Sequence, residues 1–191
     1  DIIKAEIRAY NTIEEVGIEG ILFTSGWGPD PTVFVHHASD FVDYAWRAVY
    51  FENVSNSWIR NVEFKDWNEA LKIDSSIGIT VKDITISGKR GHVSYNTIRS
   101  YGVLFEDCKD IVPGGQHHGP GMFAPSTGNV FLRSQMQQNQ TIDCHGKHPY
   151  GNLYDDVLGG NFFDNGGAHD TYPNHAMDLV FWNFVHNMNA T

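Results

Sequence analysis

Apolar and polar residues alternate over short runs, and the runs recur at set distances along the chain. Residues 49–64 read VYFENVSNSWIRNVEF and residues 71–86 read LKIDSSIGITVKDITI. Val49/Leu71, Phe51/Ile73, Ile59/Val81, Val62/Ile84 and Phe64/Ile86 match as apolar residues at one offset, 22. Alternation of period two marks a strand with one buried face, and no window carries the 3.6-residue period of an amphipathic helix. The first half of the unit recurs as VLFED from Val103, VFLRS from Val130 and NFFDN from Asn161. Its second half fits Ile18, Ile21 and Phe23, which stand 41 residues before Ile59, Val62 and Phe64. LVFWNFV, from Leu179 to Val185, adds a last apolar segment.

Short strands repeated in this way cannot each bury an apolar face alone, but stacked on one another they share a core. They predict an all-β chain folded as a right-handed parallel β-helix of about six coils, with loops of variable length inserted between rungs. An antiparallel sandwich is the rival, and it leaves the aligned columns unexplained. Residues 1–191 then form a single β-helix domain, expected to be a segment of a longer stack. The corner column reads Asn53, Ser75, Asp107, Ser134 and Asn165, small polar residues suited to turns. The column before it reads Glu52, Asp74, Glu106, Arg133 and Asp164. Rungs about 4.8 Å apart would set these acids against one another, relieved by Arg133 or by a divalent cation such as calcium.

Composition narrows the partners. Lys and Arg number 13 against 23 Asp and Glu, a formal net charge of −10 with no basic run, which argues against nucleic acid. The hydrophobic share of 41% excludes a disordered chain. No apolar stretch approaches the roughly 20 residues of a membrane span. The opening at Asp1, without a basic and apolar leader, reads as a processed chain or a fragment. Sequons at Asn53, Asn139 and Asn189 lean toward an extracellular glycoprotein, in which Cys108 and Cys144 could pair.

Most of the 10 histidines sit in the loops between rungs. Insertions at similar corners of successive coils line one lateral face, which gathers the histidines there. His36 and His37 adjoin an expected strand, and one of them should point inward. Gln116, His117 and His118 lie among glycines, as if the backbone approached something closely. His145, Lys147 and His148 place three proton-transfer candidates within four residues, with Asp143 near enough to orient an imidazole. His145 and His148 have a spacing compatible with metal, but no third ligand is defined. Asp155 and Asp156 read as solvated turn residues before they read as a glycosidase pair.

The string NSWIRNVEF, GKRGH, GQHHGPG, TGNVFLRS and GGAHDTYPNHAMDLVFWNF resembles a family of pectate-lyase-like parallel β-helix proteins of uncharacterised function. The similarity spans Val16 to Phe184, and it implies a secreted protein associated with carbohydrate. The RxPxxR segment of pectate lyases is missing, and Cys144-His145-Gly146 precedes Asp155-Asp156, the reverse of the order in polygalacturonase-like hydrolases. No catalytic set carries over.

The expected activity is a polysaccharide lyase acting on an acidic glycan, with glycoside hydrolysis as a weaker option. Arg90 and His92 would neutralise the uronate carboxylate, and His117, His145 or Lys147 would take the proton. Gln116, His118, Asp143, His148 and His175 would bind the chain of sugars. The alternative is a non-catalytic module, either glycan-binding or a structural subunit of an extracellular assembly whose coils stack end to end.

Overall fold

A computed structural model describes residues 9–28, 34–37, 44–161 and 169–186. Among these residues fifteen strands are arranged in two parallel sheets. The first sheet begins with β1 (Ile13–Glu14), β2 (Gly17–Glu19) and β3 (Leu22–Thr24), all laid on one edge of the long strand β5 (Val54–Lys65). β4 (Trp46–Glu52) opens the second sheet. There it pairs with β6 (Glu69–Asp74), then β8 (Val93–Ile98), β11 (His118–Phe123) and β13 (Thr141–Cys144). From β5 the first sheet continues through β7 (Ile77–Ser87), β9 (Leu104–Glu106), β12 (Val130–Leu132), β14 (Leu153–Asp155) and β15 (Val180–Trp182). β10 (Lys109–Asp110) pairs with β7. The chain therefore winds as a β-solenoid of about five turns, close to the six coils that the repeat suggests. A 3₁₀ turn spans His169–Thr171. Among the described residues no helix is long and apolar enough to cross a membrane.

The 22-residue offset is real in space: Val49 lies beside Leu71, Phe51 beside Ile73, Ile59 beside Val81, Val62 beside Ile84 and Phe64 beside Ile86. The 41-residue offset also holds, with Ile18 beside Ile59 and Phe23 beside Phe64. Each rung bends where the backbone enters the left-handed region. One corner column runs Asn53, Ser75, Arg99 and Ala124 (φ 57°, 48°, 49° and 50°). A second runs Asn56, Gly78, Gly102, Gly128 and Gly151, and at those corners the glycines avoid the Cβ clash that an ordinary residue meets at φ above zero.

Later rungs follow a different alignment from the one the sequence suggests. VLFED stacks on the second half of the unit, so Phe105 lies beside Val81, and Phe131 lies beside Phe105. Leu153–Asp155, not recognised as a rung, carries Tyr154 into the same ladder, and Phe181 follows. Phe105, Phe131 and Tyr154 are fully buried and stack with ring centroids 4.9 and 4.5 Å apart. This regrouping dissolves the acidic column. Glu52 and Asp74 stack in the second sheet, whereas Lys82, Glu106, Leu132 and Asp155 share a column in the first. Arg133 ion-pairs with Glu106 and Asp107, and Lys82 reaches Glu106 at 3.1 Å. Cations beside the acids satisfy them, and the column offered for calcium does not form. Asp164, Asn165 and the NFFDN segment after Asn161 lie outside the described residues.

Cys108 and Cys144 are free thiols, each buried in the core. Cys108 lies beyond the short strand β9 of the first sheet, and Cys144 ends β13 in the second, so both serve as small apolar fillers rather than a bridge. Asn53 and Asn139 are exposed, and Asn189 lies outside the described residues.

Candidate functional site

The outer face of the second sheet is built from side chains that alternate away from the core. Tyr50, Lys72, Asn96, Gly121 and Asp143 lie side by side on β4, β6, β8, β11 and β13. The next register, Phe51, Ile73, Thr97, Met122 and Cys144, turns inward. Gly121 puts no side chain between Asn96 and Asp143; a Cβ there would lie 3.2 Å from the Phe123 ring. On the same sheet a cavity of about 220 Å³ is lined by Trp46, Arg47, Glu69, Lys72, His92, Val93, Phe123, Asp143 and His145. A second, wider cavity of about 630 Å³ shares Trp46 and adds Tyr44 and Trp67.

Polar contacts hold these groups in place. Arg47 Nε lies 2.5 Å from Glu69 Oε2, and Asn96 donates to Glu69 Oε1 at 2.7 Å. Burial pushes the Lys72 ammonium below its ordinary value, although the Glu69 carboxylate opposes this. His145 Nδ1 lies 3.1 and 3.2 Å from the two oxygens of Asp143, and that bond raises the imidazole above its usual 6.5. Asp143 is almost fully buried, while His145 is about half exposed, at 46%. With Nδ1 engaged by the carboxylate, Nε2 is the basic nitrogen left to accept a proton.

One edge of the groove is a nest of imidazoles. His36 and His37 occupy a turn, His92 precedes β8, and His117 and His118 lead into β11. The ring of His36 lies 3.9, 4.5, 4.2 and 5.3 Å from those of His37, His92, His117 and His118. Trp46 meets His92 edge-on at 5.3 Å, which ties the nest to the cavity. Burial, then the neighbouring His118 and other imidazoles, pushes His92 down to about 2. His117 falls to about 4 through burial, His118 and Arg90. His118 is lowered by burial while Asp143, 3.9 Å from its Nδ1, pulls the other way. At neutral pH these three imidazoles are uncharged.

Of the residues singled out in the sequence, His92, Asp143 and His145 line one cavity, and His117 and His118 stand beside it. Arg90 acts on His117 and does not line the groove, although His92, two residues on in the same GKRGH run, does. Gln116 is fully buried and structural: its side chain donates to Trp67 O at 3.0 Å and accepts from Gly91 N. Gly114 serves a left-handed turn (φ 77°), and the glycines nearer the sheet serve coil packing. A Cβ on Gly119 would lie 2.5 Å from Met136 Cε and 2.9 Å from Thr141 O, so the close approach is to the next coil. Lys147 and His148 are exposed in a left-handed turn whose amides bond to Thr171 O and Pro173 O, and neither lines the groove. His175 is exposed, with Nδ1 3.3 Å from Ala176 O. Asp156 occupies a corner (φ 54°) and Asp155 ends β14, so both belong to a rung, outside the groove of the second sheet.

Lys72, Arg47, Glu69 and Trp46 were not among the sequence candidates. Lys72 carried a legible signal, since in LKID it stands alone between two inward-facing apolar residues. His36 and His37 were expected beside a strand with one of them turned inward; both are exposed in a turn instead, and the fold that brings them to His92 depends on tertiary contacts.

Residues 115–191 match DUF4955, a domain of unknown function. That stretch includes His117, His118, Asp143 and His145, whereas Lys72 and His92 precede it. No curated protein and no solved structure matches the chain.

Proposed function

We propose that this solenoid is a carbohydrate-active protein that binds an acidic polysaccharide along the outer face of the second sheet and cleaves it by β-elimination. The observation that carries the reading is the composition of one groove: two cations, Lys72 and Arg47, beside an Asp143-held His145, between the aromatic side chains of Trp46 and Phe123. Aromatic faces stack on sugar rings, and cations in a partly desolvated groove offset the charge of a uronate carboxylate. The resemblance to pectate-lyase-like proteins points the same way, and polysaccharides of this kind lie outside cells, so the reading entails secretion.

In the elimination, Lys72 and Arg47 hold the uronate carboxylate and stabilise the charge that builds on it when C5 loses its proton. His145 Nε2 takes that proton. The C5–H electron pair becomes the C4–C5 double bond, and the C4–O bond breaks toward the leaving sugar, which is protonated from water. Asp143 keeps the imidazole oriented and stabilises its charged form.

Incubation with polygalacturonate, alginate and other uronate polymers, followed by the ultraviolet absorbance of the unsaturated product, tests this. Absorbance should rise with at least one polymer, and Lys72→Met or His145→Ala should each lower the rate by about 100-fold or more. Absence of product from every uronate polymer, or unchanged rates in both variants, would sink the catalytic reading. Saturable binding without product would favour the non-catalytic module instead, a reading helped by Tyr44, Trp46 and Trp67 in the adjoining cavity.

A further inference from the structure

We infer that His36, His92 and His118 form a binding site for zinc or a similar imidazole-preferring divalent transition metal. Each offers one ring nitrogen, and the three nitrogens lie within 4.8 Å of one another. They come from segments far apart in sequence, so only the coil stacking assembles them. Nε2 of His36 and Nε2 of His92 are hydrogen-bonded to each other at 2.8 Å, one ring donating and the other accepting, and an ion bound here would take the place of the shared proton. Metal–nitrogen bonds of about 2.0–2.1 Å in tetrahedral geometry need nitrogens ~3.3 Å apart, so a small opening of this pair admits the ion.

The second nitrogen of each buried ring faces away from this meeting point. Nδ1 of His92 and Nδ1 of His118 are buried side-chain atoms without a hydrogen-bond partner, although such groups are ordinarily satisfied. For His118, the buried Asp143 carboxylate lies 3.9 Å from Nδ1. A carboxylate behind one ring nitrogen, with the other turned toward the metal, is the arrangement that orients a ligating histidine. Three protein ligands leave a fourth position for water or for a group on a molecule in the groove, which His92 also lines. Nitrogen donors of this kind select against calcium and magnesium, which take oxygen ligands. The inference is independent of the lyase reading, since it concerns affinity for an ion and not turnover.

Untagged chain, stripped with a chelator and dialysed, would be titrated with Zn²⁺ by calorimetry and with Co²⁺ by visible absorption. One equivalent should bind per chain, the Co²⁺ complex should show the intense visible bands of a four-coordinate site, and Ca²⁺ should not compete. His36 is exposed, so His36→Ala should fold as the parent does while weakening Zn²⁺ binding by about 100-fold or more. His92→Ala should do the same, and His175→Ala, an exposed histidine outside the three-nitrogen cluster, should leave affinity unchanged. Failure of the parent chain to bind one Zn²⁺ saturably would overturn the assignment. So would binding that survives His36→Ala, or that is lost with His175→Ala.

Discussion

The regrouped rungs make a sharp test of the core. The sequence pattern sets VLFED over VFLRS and thereby places Phe105 against Leu132, whereas in the structure Phe131 lies beside Phe105 and Leu132 beside Glu106. A one-residue slip reverses which side chains face inward, so the two registers predict opposite outcomes for neighbouring alanine substitutions. Phe131 is 0% exposed and stacks on Phe105 and on Tyr154 at interplanar angles of 5° and 8°. Phe131→Ala should cost about 3–5 kcal/mol, a sum of lost transfer energy, the cavity and two ring pairs of roughly 0.5–1.5 kcal/mol each. Leu132 is only partly buried and sits on the outer side of its rung, so Leu132→Ala should cost roughly 1 kcal/mol or less. Urea unfolding followed by circular dichroism and tryptophan fluorescence supplies both free energies, provided that the two probes coincide. If Leu132→Ala proved as damaging as Phe131→Ala, the stacking register would be wrong, and the placement of Asp155 and Asp156 with it.

Asp143→Asn should move the acid limb of the elimination rate to lower pH. The carboxylate raises His145, base catalysis appears only above that raised value, and an amide no longer raises it; an unmoved limb would exclude His145 as the base. Both thiols should resist a thiol reagent in the native chain and titrate as two equivalents in denaturant. Burial pushes Cys144 up to about 12 and raises Cys108 as well, and a count of zero in denaturant would reveal a disulfide instead. Glu106 is held below the usual carboxylate range by Lys82 and Arg133, and Asp107 chiefly by Arg133. Depressed carboxylates stabilise the fold above their unfolded values near 4 and lose that contribution as pH falls through their folded values. The melting temperature of Arg133→Ala should therefore fall less than that of the parent between about pH 5 and pH 3. Parallel curves would show that the cluster contributes nothing.

The sequence by itself determined the solenoid. Residues 49–64 and 71–86 repeat without insertion, so period-two alternation and a constant offset were enough to align Ile59 with Val81 and Phe64 with Ile86. Where loops of unequal length intervene, alignment rests on a few residue classes, and Phe-Glu-Asp at 105–107 resembles Phe-Glu-Asn at 51–53 closely enough to mislead. The two segments occupy different faces of the coil, because their corners differ in position and not in composition.

The chemistry divides along the same line. Asp143 and His145 are two residues apart near the end of one strand, so their pairing is local and was visible as a motif. The groove is not local. Lys72 and Asp143 come to line one cavity only through the registers that join β6, β8, β11 and β13, and His36 meets His92 and His118 only because a turn folds over the edge of that sheet. A parallel stack converts separations of about 25 residues along the chain into one rung, about 4.8 Å. Alternation decides which side chains leave the core; only the register decides which of them become neighbours.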